Sequence, residues 1–177
     1  MDAIPIPLLF GLLAGLLVLS GFFSGSETAL MTLNRYRLRH LSDTGHAGAR
    51  LAAALLAQPD RLIGLILLGN NFVNILASSV ATVIALRLGG EGALAISTGL
   101  LTLVVLIFAE VTPKTLAALN PERIAFPAAW VYTPLIRILH PFVWLVNQIS
   151  NRLLRLLGAW PDTAGSDALS SEELRTI

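Results

Sequence analysis

The stretch "LIGLILLGNNFVNILASSVATVIAL", Leu62 to Leu86, contains no Asp, Glu, Lys or Arg. About 20 residues at ~1.5 Å each cross a hydrocarbon core of about 30 Å, so this run is long enough to span a bilayer. Two further runs have the same character, Ala3 to Ser26 and Gly92 to Ala109. The whole chain agrees, being 55% hydrophobic, 13% charged and of mean hydropathy +0.74, where soluble domains carry roughly 25% charged residues. The expectation is an all-α membrane protein with three spans, at about 3–33, 60–86 and 92–112. The first run lacks a basic leader and a cleavage site, and reads as a retained helix. There is no cysteine, which removes disulfides, thiolate metal sites and cysteine nucleophiles from the chain. A net charge of +1 gives no bulk attraction to nucleic acid.

The basic residues orient the spans. Arg35, Arg37, Arg39, Arg50 and Arg61 lie between the first and second runs, Lys114 and five arginines follow the third, and Arg87 alone lies between the second and third. The positive-inside rule places the amino terminus outside and the carboxyl terminus in the cytoplasm. Between the first two spans, residues 34–58 mix leucines with arginines around a "SDTG" break, the pattern of two short amphipathic helices at the inner interface. The "RYRLR" run within them suits contact with anionic lipid, and His40 and His46 read as exposed polar residues. Residues 122–158 are apolar but hold Arg137 and three prolines, Pro127, Pro134 and Pro141. They are expected to form a bent, amphipathic pair of inner-leaflet helices turning near "LHP", anchored by Trp130, Tyr132, Trp144 and Trp160. Residues 161–177 turn polar, with a helix-start pattern at Ser170, Ser171 and Glu173, and read as a linker toward a further module.

The spans carry polar residues at membrane depth. Asn70 and Asn74 are one turn apart, with Ser78 a turn further on the same face. Two readings stand: helix-to-helix hydrogen bonding, or ligation of a cation. Glu27 and Glu110 are the carboxylates adjoining the inner ends of the first and third charge-free runs, and an ionisable group there is a functional hypothesis by default. Pro113 removes a backbone donor three residues after Glu110, so the helix is expected to kink and free the Ala109 carbonyl. The glycines and serines of "SGFFSGSE" permit close helix approach and add hydroxyl oxygens. An oxygen-only ligand set suits a hard cation such as magnesium, calcium or sodium. No nucleophile with its base, and no phosphate loop, can be assembled, so the chain is not expected to be an enzyme.

Three segments in order, "FSGSETALMTLNRYRLRHL", "LLGNNFVNILASSVAT" and "AEVTPKTLAALNPERIA", resemble the transmembrane domain of the CorC/CNNM (cyclin M) magnesium transporters, over nearly the whole chain. The resemblance implies a homodimer in the lipid bilayer, with three spans per subunit across residues 1–160 and a cytoplasmic CBS-domain pair beyond. It implies Mg²⁺ export by alternating access, coupled to Na⁺ entry, in the cell membrane, here the bacterial inner membrane. Matching by motif, it implies Ser24, Asn70, Asn74 and Glu110 as metal ligands. Ser26, Glu27, Asn71, Ser78, Ala109, Pro113 and Lys114 are further candidates for the site or its pathway, Lys114 reading as a residue whose amine reaches the interface. The family often has glycine where Ala109 stands. A second function class remains open, a non-transporting divalent-cation sensor or scaffold that regulates another transporter.

Overall fold

A computed structural model describes residues 4–156, and their regular secondary structure is entirely helical. Three helices are long and apolar enough to cross a membrane. The first is α1, Ile6–Thr32, and the second α4, Pro59–Gly89. The third, Ala93–Leu119, is built from α5 (Ala93–Val104), a π-helical turn (Val105–Val111) and α6 (Thr112–Leu119). Prolines in the first turns of α1 and α4 sit where the missing N–H costs nothing. The turn from α4 to α5 hinges on Gly90, whose φ of 64° excludes most side chains. The apolar exterior of the spans, including Val18, Ile75, Ile96 and Phe108, faces outward, as a lipid-exposed surface requires.

Between α1 and α4 lie α2 (Arg35–Asp43) and α3 (Ala47–Leu56), the expected amphipathic pair. Asn34 caps α2 by accepting from the amides of Tyr36 and Arg37, and His46 caps α3 through Nδ1, which accepts from Ala49 N–H at 3.1 Å. His46 thus has a local role that its sequence position did not suggest. The "SDTG" break is real and ends at Gly45, with φ 92°. The inner faces of this pair, Leu38, Ala49, Ala52 and Leu55, join Leu30, Leu62 and Leu65 in one apolar core.

The chain divides into two compact units, the first ending at Leu139 and the second beginning at His140. The first contains α1 to α6 and the start of α7, whose Ala125, Ala128, Ala129 and Tyr132 complete its core. Within the second, Phe142, Trp144, Leu145 and Ile149 are exposed.

Two expectations for the carboxyl-terminal region need correction. Residues 121–156 form a single helical element, α7 (Pro121–Leu156), instead of a pair turning near "LHP". Each proline removes one backbone bond, but within the first unit Pro127 and Pro134 are seven residues, nearly two turns, apart, so their losses fall on one face of the helix. Pro127 and Pro134 are both exposed, in keeping with that arrangement. Tyr132 is no interfacial anchor, because it is fully buried; Trp130 and Trp144 are exposed. Trp160 and the polar stretch 161–177 lie outside the described residues.

Candidate functional site

The site is built where α1 crosses both other spans. On one side of α1, the Phe23 ring fills the place a side chain would occupy at Gly69 of α4. On the other, Gly21 and Gly25 lie against the third span: a methyl group at Gly21 would sit 3.2 Å from Pro113 Cγ and 3.4 Å from the Phe108 carbonyl oxygen. One at Gly25 would sit 3.2 Å from Pro113 Cβ and 3.3 Å from its carbonyl oxygen. Small residues one turn apart let backbones approach in this way.

The third span is not simply kinked at Pro113. Its π turn has the Thr112 N–H donating to the Ile107 carbonyl, five residues back. The next acceptor in that register, the Phe108 carbonyl, requires the N–H that Pro113 lacks. The vacant acceptor therefore moves from Ala109, where an α-helical register puts it, to Phe108, directly against Gly21. Ala109 itself is buried with no exposed surface. π turns of this kind recur at functional sites.

Beside this junction, Ser20 Oγ lies 2.6 Å from Asn74 Oδ1 and 3.1 Å from Asn70 Oδ1. Ser20 is completely buried. A hydroxyl has one proton to donate, so it serves one amide oxygen at a time, and the three oxygens form a cluster with too few donors. One turn along α1, Ser24 Oγ is buried and has no hydrogen-bond partner. A buried hydroxyl without a partner costs about 1–3 kcal/mol, a cost that a bound cation would relieve. Asn74 also lines a cavity of about 330 Å³ with Ser78, Thr102 and Glu110. Asn74 is the one member of the amide cluster in this lining, and Glu110 is its one carboxylate. Among the described residues no group of three or more His, Cys, Asp or Glu forms a metal cluster, so any cation here is held mainly by neutral oxygens.

The remaining sequence candidates separate from this cluster. Ser26 donates to the Phe22 carbonyl at 2.6 Å and bonds the Tyr132 hydroxyl at 2.5 Å. It joins α1 to α7. Burial pushes the Tyr132 phenol well above its ordinary range, the Ser26 hydroxyl pulls it partly back and the Glu27 charge pushes it further up. Tyr132 is therefore a neutral structural bond, while Glu27, three residues beyond Ser24 and seven beyond Ser20 on α1, is half-buried. Asn71 is exposed, Pro113 packs on the α1 glycines, and Lys114 is exposed with no ion pair to Glu110. Sequence reasoning missed Ser20 and the Phe108 carbonyl. The signal for Ser20 was its four-residue spacing from Ser24, which puts both hydroxyls on one face of α1.

This geometry can be set beside known proteins. Residues 11–177 match the family described as the cyclin M transmembrane N-terminal domain. The chain is similar to the UPF0053 inner membrane protein YfjD of Escherichia coli (strain K12), at 54% identity over 159 residues, covering 90% of this chain and 37% of that protein. It is 49% identical over 177 residues to a UPF0053 protein of Haemophilus influenzae, covering 100% of this chain and 42% of the relative. A putative DUF21 domain-containing chloroplastic protein of Arabidopsis thaliana is 34% identical over 151 residues, 83% of this chain and 22% of its own length. The chain thus spans about a fifth to two fifths of the length of these relatives. With three apolar spans and a family match across nearly its whole length, the chain belongs to the CorC/CNNM family as a cyclin M transmembrane domain.

Proposed function

We propose that this domain carries Mg²⁺ across the membrane, in the export direction, by alternating access coupled to Na⁺ entry. The observation that carries the reading is the donor-poor oxygen cluster of Ser20, Asn70 and Asn74, with the unpartnered Ser24 hydroxyl one turn away and Glu110 in the adjoining cavity. Hydroxyl, amide, carboxylate and carbonyl oxygens suit a hard divalent ion. A single carboxylate offsets part of its charge, and the neutral ligands keep release possible, which a cage of carboxylates would prevent. Sodium coupling, a homodimer and a cytoplasmic CBS pair in the rest of the protein rest on the family resemblance.

Asn74 separates the readings. In full-length protein reconstituted into liposomes with an internal magnesium dye, Asn74→Leu should lose both binding and flux. Asn74→Asp should retain binding and slow release, so that flux falls while occupancy does not. If the asparagines only glue helices, Asn74→Leu lowers thermal stability and leaves Mg²⁺ affinity unchanged. Saturable binding with no flux in the wild-type protein would favour the sensor or scaffold.

The same proposal fixes the orientation, with the amino terminus outside. The chain has no native cysteine, so single cysteines report cleanly. Glu91→Cys, in the α4–α5 turn, should react with an impermeant maleimide added to intact cells. Thr44→Cys, between α2 and α3, should react only after permeabilisation. The reverse pattern would invert the topology.

A further inference from the structure

The arginines of "RYRLR" do not behave alike. Arg37 forms an ion pair with Glu122 at the start of α7, including a 3.1 Å bond from its Nη2 to Glu122 Oε2. Arg35 and Arg39, one turn apart on α2, are exposed and are paired with no carboxylate among the described residues. Both line a cavity of about 320 Å³ between α2 and α3, together with Ser42 and the apolar Leu38, Ala53 and Leu56. Asp43 is not part of the lining. The lining thus combines two arginines with several apolar side chains.

Its place in the fold identifies the occupant. α1 ends at Thr32 and α4 begins at Pro59. Both are membrane spans, so the α2–α3 pair between them lies against the bilayer surface, with Leu38, Ala49, Ala52 and Leu55 turned into the core. A ligand reaching this cavity from the membrane brings a phosphate at headgroup level and acyl chains below it. Guanidinium groups bind phosphate well because they are planar and present several donors.

We propose that the α2–α3 cavity binds the headgroup of an anionic glycerophospholipid, with its phosphate between Arg35 and Arg39 and its glycerol and first acyl carbons against Leu38, Ala53 and Leu56. Arg37 stands outside the site because Glu122 already compensates it. The inference is independent of what the spans transport.

Native mass spectrometry of the detergent-solubilised full-length protein, titrated with phosphatidylglycerol and phosphatidylcholine, provides the test. Wild type should retain phosphatidylglycerol preferentially. The double substitution Arg35→Gln/Arg39→Gln should weaken that binding on the order of 10- to 30-fold, since a basic residue near an anionic surface contributes about 1 kcal/mol. Arg37→Gln should leave it within about twofold. Should the double glutamine variant fail to fold, Arg35→Lys/Arg39→Lys keeps the charge, removes the bidentate geometry and should still show a reduced preference. Millimolar inorganic phosphate should not displace the lipid. Equal loss in Arg37→Gln, or an unchanged preference in the double variants, overturns the site; full displacement by inorganic phosphate overturns the lipid as its occupant.

Discussion

Glu110→Gln should abolish Mg²⁺ transport and weaken Mg²⁺ binding by about 100-fold or more. Of the groups that line the cavity with Asn74, only Glu110 carries charge. Glutamine keeps the shape and an oxygen, but a neutral amide cannot offset the dehydration of a divalent ion. A 100-fold loss of affinity corresponds to about 2.8 kcal/mol. Glu91→Gln is the matched control. Glu91 lies in the α4–α5 turn and is not among the residues that line the cavity, so its neutralisation should leave binding within about threefold by the same arithmetic. Isothermal titration of both variants in detergent measures the difference. Equal losses in the two would show that the effect is a general one of net charge.

The second large effect comes from a residue with no side chain. Gly25→Leu should both destabilise the domain and reduce Mg²⁺ affinity at least about tenfold, because the first carbon of the new side chain already meets Pro113 at 3.2 Å. Pro113 backbone atoms lie in the same contact, so relief requires α1 and the third span to separate. Overpacking of this kind costs about 1–3 kcal/mol, and the separation would withdraw the Phe108 carbonyl and Glu110 from Ser20 and the asparagines. Gly15→Leu supplies the comparison, since nothing lies within 4 Å of a carbon built there. It should change neither thermal stability nor affinity. If Gly25→Leu melts and binds like wild type, the close approach of these helices does not build the site.

The parts of this structure that were legible in the sequence are those governed by the solvent. A run without charge must cross the hydrocarbon or be buried, so Leu62 to Leu86 announced a span, and asparagines within it stood out as groups needing a partner. Glu110 stood out for the same reason. Ser20 did not, because a serine in a membrane helix can satisfy itself on the preceding turn's carbonyl, as Ser79 and Thr82 do here. Only tertiary packing turns the Ser20 hydroxyl toward α4. The π turn was illegible because its one local signal, Pro113, equally signals an ordinary kink. In α7 the prolines were judged singly as breakers, whereas Pro127 and Pro134 share one face and the helix continues past both. Tyr132 was misplaced because an amphipathic ring suits an interface unless a buried hydroxyl, here that of Ser26, receives it.

In the proposed site the oxygens of Ser24, Asn70, Asn74 and Glu110 would gather around one cation between α1, α4 and the third span. Anomalous diffraction from crystals of the protein soaked in Mn²⁺, a spectroscopically visible substitute for Mg²⁺, addresses it directly. A single strong peak is expected in the span region, within about 2.3 Å of a Glu110 carboxylate oxygen and of at least one asparagine Oδ1, and it should weaken when Mg²⁺ is added in excess. A peak elsewhere in the spans, or none there at saturating Mn²⁺ with Ser20 still bonded to Asn70 and Asn74, would contradict it.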